Sequence, residues 1–138
     1  MTYWRLYYHL VWATKNREPL ITPEIESNLY GYLDRKAASH KARVYAINGD
    51  EQHIHVVASI PPSVAVSDFV KSLKGSSSHH LNHLPGSEGN FGWQRGYGVL
   101  SFGKNQLDFA VRYVQNQKRH HREKTGILSA LERTEEPE

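Results

Sequence analysis

Apolar and polar side chains alternate along residues 3–13. Leu6, Tyr8, Leu10 and Trp12 fall to one side, and Tyr7, His9 and Val11 to the other. A period of two, rich in aromatics, predicts a strand. The polar stretch "TKNREPLITPE" follows as a loop. Thr22 then reads as an N-cap, with Pro23 in the first helical position. Ile25, Leu29, Leu33 and Ala37 recur at a helical interval and predict an amphipathic helix to about residue 40. "ARVYAINGDEQHIHVVASI" holds two strand patterns with turn chemistry, "NGDE", between them, so a hairpin is expected. Residues 66–83 predict a second helix with Phe69, Val70 and Leu73 as its apolar stripe. Its far end, "KGSSSHHLNHL", has low helix propensity.

"PGSEGN" reads as a loop, and "FGWQRGYGVLSF" as a last strand region broken by glycines. Asn105 is placed to cap a final helix over about 106–122, with Asp108 as its capping-box partner. Leu107, Ala110, Val111 and Val114 would be its buried face. The order β-α-β-β-α-β plus one helix predicts an α+β fold, the ferredoxin-like split β-α-β sandwich. Its antiparallel sheet carries two helices on one face, and the other face is open unless something packs on it.

Composition narrows the function classes. A chain of 138 residues suits one domain with a core, assigned here to 1–125 with a tail over 126–138. The absence of cysteine removes disulfides, thiolate metal sites and a Cys nucleophile, and fits a cytoplasmic compartment. No apolar run reaches the length of a membrane span. The net charge is only +3, but it is uneven. "RYVQNQKRHHREK" is basic, and the tail "LERTEEPE" is acidic. That asymmetry fits either a polyanionic partner or a solvated helix face.

The alternation has a chemical consequence at "HIH". Ile54, Val56 and Ala58 form the apolar set and should face the helices. His53 and His55 then share the open face, with Cα atoms about 6.5–7 Å apart. That spacing permits a shared metal ion and equally permits two partly solvated imidazoles. No acidic residue stands at a ligand spacing, since Asp50 and Glu51 fall in the turn. "YVQNQ" supplies a different donor. Tyr113 and Gln117 are four residues apart on one predicted helix face, and an amide oxygen suits Mg²⁺ or Mn²⁺. If Gln117 reaches an ion, Tyr113 stands beside it.

Five segments in order carry a resemblance: "YYHLVWATKNREPLIT", "HIH", "VSDFVKSLKGSSS", "WQRGYG" and "YVQNQKRHH". Over residues 7–122 the chain resembles the small single-tyrosine transposases of the HUH (His-hydrophobic-His) superfamily. The match is to the insertion-sequence 200/605 type, with REP-associated tyrosine transposases as near relatives. The resemblance implies a metal site of His53, His55 and Gln117 holding Mg²⁺ or Mn²⁺, with Tyr113 as nucleophile. It implies cleavage and rejoining of single-stranded DNA at element ends through a 5′-phosphotyrosine link. Partners would be single-stranded DNA with hairpin ends and a second copy of the chain, with a site that combines one chain's histidines with the other's tyrosine.

Arg112, Lys118, Arg119 and Arg122 are candidates for backbone phosphates, and Trp93 and Tyr97 for base stacking. His120 and His121 match the family's His pair and are read as helix-end or phosphate contacts. His79, His80 and His83 are expected at the surface or facing DNA. His9 is placed near the site if its strand neighbours the HIH strand. Two departures stand out: Gln52 precedes His53 where many relatives have Asp, and the tail is less family-like. A domesticated relative that binds hairpin DNA without cutting it is the alternative function. An unrelated water-using phosphoesterase ranks behind both.

Overall fold

The computed structural model describes residues 2–118. Strand β1 spans Tyr7–Ala13, helix α1 Pro23–Ser39, β2 Arg43–Gly49, β3 His53–Ser59, α2 Val66–Asn82, β4 Gly98–Phe102 and α3 Leu107–Gln115. The sheet order is β2-β3-β1-β4 with every neighbouring pair antiparallel. This is the expected split β-α-β sandwich.

Each strand's two sets of side chains go to different cores. Leu10, Trp12, Ile54, Val56 and Ala58 join Leu29, Leu33 and Ala37 of α1 and Phe69, Val70 and Leu73 of α2. Full burial of each such side chain stabilises the fold by about 1.5–3 kcal/mol. On the other face, Ala46 and Val57 meet Ala110, Tyr113 and Val114 of α3. The third helix therefore covers the face that the first six elements leave open.

Tight geometry sets the β2–β3 turn. A Cβ on Gly49 would lie 2.1 Å from the His53 carbonyl oxygen. Only glycine lets the two backbones approach so closely. The turn then closes with the Asp50 N–H donating to that same carbonyl at 3.1 Å.

Three element boundaries differ from expectation. Regular pairing in β1 starts at Tyr7, not at residue 3. In the glycine-broken region only Gly98–Phe102 is strand, and Trp93 makes a single bridge to Thr14. Gly96, at φ +87°, interrupts the stretch between them. Helix α2 runs to Asn82 as expected, although Gly75 and the serines disfavour its far end. Ser76 Oγ donates to the Ser72 carbonyl, and buried Ser77 accepts the Trp93 indole N–H at 2.9 Å. Packing there outweighs propensity.

The third difference is in α3. Asn105 sits inside a 3-10 turn, Lys104–Gln106, and does not cap the helix, nor does Asp108 complete a capping box. The regular helix is interrupted after Gln115, residues 117–118 are helical again, and the rest of the expected stretch to 122 lies outside the described residues. Asn116 interrupts the helix by donating both its backbone N–H and its side-chain amide to the Arg112 carbonyl, at 3.1 and 2.9 Å. A short polar side chain that competes for backbone partners is a common helix breaker. The proposed boundary at 125/126 and the tail lie outside the described residues.

Candidate active site

Pairing of β1 with β3 sets Val11 opposite His55 and His9 opposite Val57. His9 and His55 are thus diagonal neighbours on the face away from α1 and α2. Their rings meet, with His9 Nε2 2.8 Å from His55 Nδ1. One of these nitrogens donates and the other accepts. A metal bond from His55 would have to come from its Nε2, with His9 as the partner that orients the ring.

Neither histidine of the HIH triplet is a solvated surface group. His55 is 0 % and His53 4 % exposed. His53 opens β3, and Asp50 organises the turn before it. Asp50 Oδ1 accepts the backbone N–H groups of Gln52 and His53, each at 2.8 Å. The same oxygen stands 3.4 Å from His53 Nδ1. The carboxylate expected immediately before His53 is replaced by Gln52, and Asp50 stands behind the ring instead. On the far side of the ring, an Arg17 guanidinium N–H donates to His53 Nε2.

Helix α3 brings Tyr113 over this cluster. Its ring centroid is 6.1 Å from that of His9 and 6.5 Å from that of His55. Tyr113 is 6 % exposed, and Gln117 only 3 %. The break at Asn116 means the two do not share one continuous helix, yet both are buried. Among the described residues no three His, Cys, Asp or Glu side chains form a group that could hold a metal. A third donor from those residues would be of another type, such as an amide oxygen.

The DNA-binding candidates are dispersed. Arg112 is exposed on α3. Lys118 is held to the body: Nζ lies 3.1 Å from Glu26 Oε2, donates to Asn48 Oδ1 at 2.7 Å and sits 5.8 Å from the Tyr30 ring centroid. Tyr30 titrates well above the ordinary tyrosine range because burial opposes its ionised form, and the charges of Glu26 and Asp50 add to that. Trp93 packs edge-on against Trp12 and Phe91. Tyr97 lines a cavity of about 700 Å³ with Lys71, Lys74 and Arg95. His79 and His83 stack on each other, and His80 stacks on Tyr32, as surface histidines do. Arg119, Arg122, His120 and His121 lie outside the described residues.

Arg17 and Asp50 were not among the expected site residues. Asp50 was visible in principle, as an Asx-turn residue three positions before a histidine. Arg17 had no periodic signal, because it comes from a loop.

Comparison with known proteins places the chain in a family. Residues 2–117 match the family model described as "Transposase IS200 like". The ISDra2 transposase TnpA of Deinococcus radiodurans is 30% identical over 122 residues, covering 83% of this chain and 85% of that protein. The transposase for insertion sequence element IS200 of Salmonella typhimurium is 34% identical over 122 residues, covering 84% of this chain and 79% of its own length. A crystal structure from Deinococcus radiodurans R1, described as a transposase, superposes with a TM-score of 0.63 at 28% identity, over 84% of this chain and 93% of that one. A REP-associated tyrosine transposase bound to a REP hairpin shares the fold, with a TM-score of 0.63 at 15% identity over 88% of this chain and 74% of that one. With a family match over nearly its whole described length, the chain belongs to the IS200-like transposases.

Proposed function

We propose that this transposase cuts and rejoins single-stranded DNA beside hairpins, with Tyr113 as the nucleophile. The observation that carries the reading is the Tyr113 ring, seated in a buried polar cluster beside His9 and His55. An aromatic whose only task was packing would not need histidines on two sides. The phenol oxygen loses its proton and bonds to phosphorus, and the bond from phosphorus to the 3′ oxygen breaks. The departing oxygen takes up a proton, leaving a 3′-OH end and a 5′-phosphotyrosine. Attack by a second 3′-OH reverses these steps and joins new ends. The covalent link keeps the phosphodiester bond, so no nucleotide hydrolysis is required.

The donor set fits a divalent ion, Mg²⁺ or Mn²⁺. His53 Nε2 already faces a cationic donor, so it presents a lone pair outward. His55 is oriented by His9, and the Gln117 amide is buried. His53, His55 and Gln117 would hold the ion, which supplies electrostatic stabilisation to the phosphate as its charge develops. Within one chain Tyr113 sits against its own histidines. Service to a second copy in a homodimer would require α3 to leave this seat. Arg112 is exposed and suited to backbone phosphate, joined in the proposal by Lys118, Arg119 and Arg122, with Trp93 and Tyr97 as base contacts.

The test is incubation with hairpin-flanked single strands and Mn²⁺ or Mg²⁺. A protein–DNA adduct that resists denaturant, with release of a 3′-OH fragment, is expected. Salt-sensitive binding with no cleavage under any metal would instead mark a hairpin-binding relative.

A further inference from the structure

The β1–α1 connection delivers a cation to the histidine face. Asn16 and Arg17 both have φ of +54°, a conformation that non-glycine residues seldom adopt. The turn is held from both sides. Thr14 Oγ1 donates to the Glu18 carbonyl at 2.6 Å. The Lys15 N–H donates to the Gly92 carbonyl at 3.0 Å, and the Asn16 N–H to Gln94 Oε1 at 2.9 Å. The outcome of this constrained backbone is the Arg17 guanidinium against His53 Nε2.

A guanidinium can only donate. Nε2 of His53 therefore carries the lone pair, and the ring proton is on Nδ1, the side of Asp50. Nε2 is then also the nitrogen that a divalent ion would take. One lone pair does not serve two cations, and the two cations repel each other. The Arg17 side chain is exposed, so it has room to turn away. A guanidinium fork suits a phosphate, the group that a DNA strand would bring to this place.

We propose that Arg17 is a positioning residue that alternates between His53 Nε2 and a phosphate oxygen of the bound DNA strand, with the divalent ion displacing it. Without the ion it holds the ring and its tautomer. With the ion in place it contributes to gripping the strand. The inference rests on the metal reading of His53.

The variant of choice is Arg17→Asn, because asparagine tolerates the left-handed backbone while removing the guanidinium. Calorimetric titration of Mn²⁺ into the full chain is expected to show binding about fivefold tighter than in wild type, from loss of a nearby competing charge. Arg17→Lys should fall between them. Single-strand affinity should drop about threefold to fivefold in Mn²⁺ and change little in EDTA. A merely structural prop gives the opposite sign, since a loosened His53 weakens Mn²⁺ binding. Mn²⁺ affinity that is unchanged or lower in Arg17→Asn, or DNA loss that is equal with and without metal, overturns the proposal. His53→Ala separates the two ideas. If Mn²⁺ binding survives it, the metal reading falls and this inference with it. If Mn²⁺ binding is lost there but unchanged in Arg17→Asn, only the role of Arg17 falls.

Discussion

The two faces of the sheet are made from the same strands by alternate residues, yet they differ in kind. In β3, Ile54, Val56 and Ala58 go to a core that two seventeen-residue helices cover. His53 and His55 go to a face that a single nine-residue helix covers. The first face is mostly apolar, with buried Ser77 of α2 as a polar exception that accepts the Trp93 indole N–H. The second buries His9, His53, His55, Gln117 and Tyr113 close to Ala46, Val57 and Val114. Burying polar groups costs stability unless they are paired. On the histidine face, His9 pairs with His55 and Arg17 with His53, which offsets part of that cost. One period-two pattern thus separates the part of the sheet that holds the fold from the part available for chemistry.

Substitutions should divide along this line. Trp12→Ala on the helix face should cost about 3–5 kcal/mol of unfolding free energy by denaturant titration. Gly49→Ala attacks the hinge between the faces. Its Cβ would meet the His53 carbonyl, so a loss of about 1–3 kcal/mol is expected together with misplacement of His53. Asp50→Ala removes one acceptor from two backbone N–H groups. It should cost about 1–2 kcal/mol and weaken Mn²⁺ binding, which an equal substitution on the helix face would not do.

The smallest effect belongs to Tyr30, which joins α1 to the segment after α3. Its hydroxyl is buried with no hydrogen-bond partner among the described residues. Tyr30→Phe should change stability at pH 7 by less than about 1 kcal/mol, with either sign. Its alkaline behaviour has a definite sign. The folded state holds the Tyr30 proton more tightly than the unfolded chain does, so wild-type stability falls as pH rises past about 10. Tyr30→Phe should lessen that fall, as read from unfolding midpoints at pH 9 and pH 11.

The division between faces was legible in the sequence because residues 7–13 and 53–59 put their histidines on one parity and Leu10, Trp12, Ile54, Val56 and Ala58 on the other. Each apolar residue named for the helix side is found there. Pairing of Tyr113 with the histidines was legible only with help from resemblance, since some sixty residues separate them and no local pattern links them. The interruption at Asn116 was missed because that residue breaks the helix through its own amide, which leaves no trace in periodicity. Arg17 and Asp50 were missed for a related reason. Both act through turn geometry, an unusual φ in one case and an Asx turn in the other. The fate of Lys118, held by Glu26 and Asn48, depends on side chains distant in sequence.

The central claim is that the histidine face exists to serve Tyr113. Peptide mapping of the denatured protein–DNA adduct by mass spectrometry tests it most directly. The account predicts a nucleotide phosphate on the peptide that contains Tyr113, and no adduct from Tyr113→Phe even though that variant still binds the strand. An adduct mapped to another residue, or one that forms undiminished in Tyr113→Phe, would contradict it.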